Sequence, residues 1–69
     1  MIKLTRINQI EFFLNPDQIK IIEEKPDTTI ELMNGERLLV REKAETVVER
    51  IVAYRVRIAH QIAHTRMES

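Results

Sequence analysis

The chain has no cysteine and no tryptophan, a single glycine, two prolines and only three aromatic residues, Phe12, Phe13 and Tyr54. Without cysteine there is neither a disulfide to restrict the unfolded chain nor a thiolate metal site. One glycine cannot build a phosphate-cradling loop, and no Rossmann or P-loop fingerprint is present. Three aromatics give no stacking platform for nucleic-acid bases. Charge of one sign is missing too, with 11 Lys+Arg balancing 11 Asp+Glu, so the basic excess that advertises phosphate binding is absent. No apolar run approaches the about 18 residues that span a bilayer. Met1-Ile2-Lys3-Leu4 leads into alternating polar and apolar residues and not into a signal-peptide core, so a cytoplasmic protein is expected.

At 69 residues there is room for one domain, which buries only about 60% of its unfolded surface. Burial and the entropy of ordering nearly cancel at this size, and no staple supplies the margin. Self-association or a partner is therefore expected to do so.

Two periodicities divide the single domain, residues 1–69, into a sheet region (1–42) and a helix (43–66). Residues 2–7, 10–14, 19–24, 28–33 and 36–41 are short β-branched, aromatic or aliphatic runs. They are separated by Asn8-Gln9, Asn15-Pro16-Asp17, Lys25-Pro26-Asp27 and Asn34-Gly35, which carry turn chemistry. From Glu42 onward glycine and proline vanish, and apolar residues recur at helical spacing from Ala44 to Ala63. The expected fold is α+β: a small antiparallel meander of about five strands followed by one long C-terminal helix.

Reading Asn34-Gly35 as a two-residue turn pairs residue 33 with 36 and 30 with 39. One face then collects Met33, Leu38 and Val40, and the other Ile30, Leu32 and Leu39. The same treatment of Asn8-Gln9 puts Ile7, Ile10, Phe12 and Leu14 opposite Ile2, Leu4 and Phe13. Both faces come out apolar, so a spare apolar sheet face is expected to meet another surface. The alternative is a bulge or strong twist that folds the sheet on itself, as in a small half-barrel.

A helix of about 23 residues spans roughly 35 Å, against about 20 Å for a six-residue strand, so its end must overhang the sheet. Residues 43–69 hold five basic and three acidic side chains, and residues 1–42 six and eight. The overhang is thus basic and amphipathic. Val56, Ile58, Ala59 and Ile62 for apolar contact, with Arg55 and Arg57 for orientation or anionic contact, are the six residues expected to form a partner or oligomer interface. Peripheral contact with an anionic membrane is compatible with the same pattern.

Candidate chemistry is sparse. His60 and His64 share a helix face at four-residue spacing, but no further ligands accompany them, and solvent-facing histidines are the simpler reading. Glu23-Glu24 and Glu42-Lys43 offer carboxylates without a pocket in which to converge. No nucleophile–base constellation is present, so a non-enzymatic protein without cofactor is expected. A rival reading makes the chain a small nucleic-acid-binding regulator acting through Arg50, Arg55, Arg57 and Arg66.

The series Met1-Ile2-Lys3-Leu4-Thr5-Arg6, Asn8, Phe12, Leu14-Asn15-Pro16-Asp17, Ile19, Ile22-Glu23-Glu24, Pro26-Asp27-Thr28, Ile30, Leu32, Asn34-Gly35 and Val40 resembles the FlbD / SwrD family of small flagellar proteins. That resemblance covers roughly the first three quarters of the chain and is weakest from Tyr54 onward. It implies a motility accessory that supports the stator complex on the cytoplasmic side of the motor, with stator or motor components as partners. One departure stands out: the family pattern has glycine where Gln9 stands. A side chain at positive φ costs about 1 kcal/mol, so Gln9 is expected to strain the turn or force a different loop.

Overall fold

In the computed structural model, which describes the backbone of residues 1–68 and the side chains of residues 1–62, five strands precede one helix. They are β1 Ile2–Thr5, β2 Glu11–Leu14, β3 Ile19–Glu24, β4 Thr28–Leu32, β5 Arg37–Val40 and α1 Ala44–Glu68. The class is α+β, as the two periodicities indicate. The meander is interrupted once: β1 and β2 form one antiparallel sheet, and β3, β4 and β5 another. The break lies at the 3₁₀ turn Pro16–Gln18, where Asn15 Oδ1 accepts the Asp17 N–H at 3.0 Å. Pro16 brings no N–H to a ladder. The sheets are tied at their ends by a bridge from Arg6 to Val40 and by the Arg41 N–H, which donates to the Thr5 carbonyl at 2.8 Å.

Both hairpins close one residue differently from the two-residue reading. Ile2 pairs with Leu14 and Leu4 with Phe12, while Ile30 pairs with Leu38 and Thr28 with Val40. Each loop has three residues. In the first, the Gln9 N–H donates to the Arg6 carbonyl and the Arg6 N–H to the Ile10 carbonyl; in the second, Gly35 and Leu32 make the equivalent bonds to Leu32 and Glu36. The third loop residue takes the left-handed conformation, Gln9 at φ 76° and Gly35 at φ 91°. This is a turn followed by a bulge residue, the next most common hairpin after the two-residue kind.

A one-residue shift in register exchanges the faces of a strand, and the expectation of two apolar faces falls with it. Ile2, Leu4, Phe12 and Leu14 share the inner face of the first hairpin, with Lys3, Thr5, Glu11 and Phe13 outside. Thr28, Ile30, Leu32, Leu38 and Val40 line the inner face of the second, and Thr29, Glu31, Arg37 and Leu39 the outer. A register irregularity between Ile19 and Ile21 brings Ile19 and Ile22 to the core together. No spare apolar sheet face remains, only the scattered exposed residues Phe13, Ile21 and Leu39.

The inner faces of both sheets converge on one core of Ile2, Leu4, Leu14, Ile30, Leu32, Val40 and Val47. The sheet has therefore folded on itself, as the half-barrel alternative supposes, and α1 closes it with Val47, Ile51 and Tyr54. These three are spaced at four and three residues, one stripe of a helix. From Arg55 to Ile62 every residue is exposed. The chain measures 47 × 23 × 19 Å with a radius of gyration of 14.0 Å, against about 11 Å for a compact chain of this length. The projecting end of α1 accounts for the excess.

Candidate functional site

The start of α1 is anchored by two carboxylates from distant parts of the chain. Glu24, the last residue of β3, accepts the Ala44 N–H at 2.7 Å and so caps a free donor at the positive end of the helix. Glu42 accepts from the Thr5 N–H and the Thr5 hydroxyl, both at 2.9 Å, and from Arg50 Nη1 at 3.1 Å. Burial pushes the Glu42 carboxyl up. The Thr5 backbone bond, its own backbone N–H, the Thr5 hydroxyl and Arg50 outweigh that effect and hold it below the usual carboxylate value of 4.5. Arg50 Nη1 also donates to the Lys3 carbonyl at 2.6 Å. Glu24 and Glu42, which sequence offers as acid–base candidates, thus act as ties fixing the helix to β1 and β3. For Glu42 its position beside the expected helix start was the available clue; nothing local marks Glu24, which reaches Ala44 across 20 positions.

Fixed in this way, α1 carries its core stripe past the edge of the domain. Val47, Ile51 and Tyr54 continue in Ile58 and Ile62, of which Ile62 is 51% exposed. A groove of about 270 Å³ opens there, lined by Tyr54, Ile58, Ala59 and Ile62 with Asp17 and Arg55. Arg55 Nη1 lies 3.3 Å from Asp17 Oδ1, a link between the helix and the 3₁₀ turn that borders the groove.

The six residues expected from sequence do not form one patch. Ile58, Ala59, Ile62 and Arg55 meet at the groove. Val56 lies about 160° away from Ile58 around the helix at about 100° per residue, in a row with Val48 and Val52; all three valines are exposed. Arg57 lies on yet another side, lining a cleft with Lys3, Phe13 and Arg50. The arginines of the nucleic-acid reading do not share one surface: Arg50 is tied to Glu42 and lines a cleft with Arg57, Arg55 is tied to Asp17 at the groove, and the Arg66 side chain lies outside the described residues. His60 is exposed, and the side chain of His64 lies outside the described residues.

A third, shallow depression of about 550 Å³ mixes Glu24, Asp27 and Glu45 with Arg41 and Lys43. Its alternating charges select no ligand of one sign. Among the described residues no helix is long and apolar enough to cross a membrane.

No curated protein and no solved structure matches the chain. A family model does. It takes in both sheets, the Glu42 tie and the first part of the projecting helix, ending at Ala59 before Ile62 is reached. With residues 1–59 of 69 matched by the model for flagellar and swarming motility proteins, FlbD, the chain belongs to that family.

Proposed function

We propose that this chain is a non-enzymatic accessory of flagellar rotation, working on the cytoplasmic side of the motor to support the stator complex through protein–protein contacts. The observation that carries the proposal is the line Tyr54, Ile58, Ile62, which prolongs the core stripe of α1 beyond the last strand. An apolar strip held out in water at a fixed angle is a docking surface in the making. Helix-in-groove recognition reads apolar anchors at this four-residue spacing. The contact is assigned to Ile58, Ala59 and Ile62, with Arg55 at the groove orienting the partner; Arg57 faces the other cleft.

Self-association belongs to the adjoining row Val48, Val52 and Val56. Rows of side chains at four-residue spacing on two identical helices interdigitate, and a chain this small gains stability by such pairing.

The test is a strain carrying Ile58→Glu and Ile62→Glu, scored separately for filament number and for swimming torque. Normal filaments with weak rotation are expected. Unimpaired rotation rejects the docking surface, and missing filaments place the role in assembly or gene expression instead. Light scattering at micromolar concentration tests the valine row: a stable monomer removes self-association from the proposal.

A further inference from the structure

Beside the projecting helix, and sharing Tyr54 with the groove at Ile58, a cleft of about 260 Å³ lies between the first hairpin and the middle of α1. Its lining joins apolar Phe13, Ala53 and Tyr54 to three cations, Lys3, Arg50 and Arg57, and no carboxylate lines it. The hairpin register places Lys3 directly opposite Phe13 on the outer face. Phe13 is the most exposed of the large hydrophobic side chains among the described residues, at 68%. An aromatic left this open beside guanidinium groups is the composition of an interface centre, not of a core.

The three cations are held differently. Arg50 is fixed by the Lys3 carbonyl at 2.6 Å and by Glu42 at 3.1 Å through a single nitrogen, Nη1, of a group that carries five N–H donors. Lys3 pairs with Glu11 at 3.3 Å, with both side chains more than half exposed, an arrangement worth little and readily exchanged. Arg57 is exposed and makes no hydrogen bond or ion pair among the described residues. One pre-oriented guanidinium, one uncommitted guanidinium and an exposed ring thus surround one space.

We propose that this cleft binds an acidic segment of another protein, in which a carboxylate side chain meets Arg57 and Arg50 while a neighbouring aliphatic or aromatic side chain packs on Phe13 and Tyr54. The volume is below the about 300 Å³ at which cofactor and ligand pockets begin, and suits one or two side chains. A polyanion fits less well. An extended phosphate surface laid on the cleft would also meet Glu11 beside Lys3, and residues 1–42 carry eight acidic against six basic side chains. Charge complementarity here is local, which selects a short acidic stretch. Ile58 and Ile62 do not line the cleft, so the Ile58→Glu, Ile62→Glu chain should still bind the acidic probe with shifts at the same residues.

The experiment titrates the full chain, labelled with ¹⁵N, with an octapeptide alternating glutamate and leucine. A lysine–leucine octapeptide, an eight-nucleotide oligothymidine and vesicles rich in phosphatidylglycerol are run beside it. Binding of the acidic peptide alone is expected, with amide shifts concentrated at Lys3, Phe13, Arg50, Ala53 and Arg57. Affinity should fall at least tenfold in Arg57→Glu and at least fivefold in Phe13→Ser. Both substitutions alter exposed side chains, and the shift map on the unaltered chain stands whether or not they fold. Absence of binding, shifts elsewhere, or undiminished affinity in both variants overturns the proposal. Tighter binding of the oligonucleotide or the vesicles at the same residues overturns it as well, making the cleft a phosphate site.

Discussion

The Glu42 carboxylate grips Thr5 with both oxygens, one taking the backbone N–H and the other the hydroxyl, each at 2.9 Å and across 37 positions of sequence. Thr5 ends β1, and Glu42 lies two residues before the start of α1 at Ala44, so the pair sets where the helix leaves the sheets. Replacing Glu42 by alanine strands the Thr5 N–H and leaves Arg50 with the Lys3 carbonyl but no carboxylate. Hydrogen bonds to a charged group are worth about 1.5–3 kcal/mol each, and their loss overlaps. A loss of about 2 kcal/mol in urea unfolding is expected for Glu42→Ala, and a smaller one for Thr5→Val, which keeps the backbone bond.

The same contact makes stability depend on pH. The folded-state value of Glu42 lies below the usual 4.5, so its contribution is fully present above the unfolded-state value and is lost as pH falls through the folded-state value. The stability gap between the natural chain and Glu42→Gln should be widest above about pH 5 and close on acidification. Measuring both chains at each pH cancels the other carboxylates. A gap of constant size from neutrality to acid would refute this assignment.

The hairpin loops make opposite predictions at equivalent positions. Gln9 holds φ at 76° with a side chain, whereas Gly35 holds 91° without one. Gln9→Gly should stabilise the chain by up to about 1 kcal/mol, and Gly35→Ala should destabilise it by about 1 kcal/mol. A Cβ at Gly35 would meet nothing within 4 Å, so the second effect is conformational and not steric. Thermal melts of the two variants moving in the same direction would contradict this account of the loops.

Along α1 the cost of truncation should change abruptly after Tyr54. Val47 is 0% exposed, and Val47→Ala opens a cavity among Leu4, Ile30 and Val40, costing about 2 kcal/mol. Val56 is 63% exposed, and Val56→Ala should leave dilute-solution stability within about 0.5 kcal/mol. A concentration-dependent melting temperature that Val56→Ala abolishes is the outcome expected from self-association through the valine row.

A weaker effect is expected at Arg55 and Asp17, each about 60% exposed. A double-mutant cycle should give a coupling below about 1 kcal/mol that fades with added salt. Their separation governs the wall of the groove, so partner binding should respond to Arg55→Ala more than stability does.

Element type and order were written in the sequence. Alternating and helical periods survive any single misplaced turn, and the family resemblance rests on residues contiguous with them. The register was legible too, though in a less direct form. A pairing that makes both faces apolar conflicts with the one-sided patterning of antiparallel sheets, and moving it by one residue places Ile2, Leu4, Leu14, Ile30, Leu32 and Val40 together. Asn34-Gly35 alone could not decide this, because glycine serves as well in the third place of a three-residue loop as in the second of a two-residue one.

What the tertiary structure alone decided is which side chains are neighbours. The helical period already parts Val56, Arg57 and Ile58, but only the packing of α1 on the hairpins sets Arg57 beside Phe13 and Ile58 beside Asp17. Glu24 and Glu42 are ordinary surface carboxylates until two sheets bring β1 and β3 against the first turn of α1. Sequence specifies the period of each element because period is local; the sites arise where elements cross, and crossing is fixed by long-range ties such as Glu42 to Thr5.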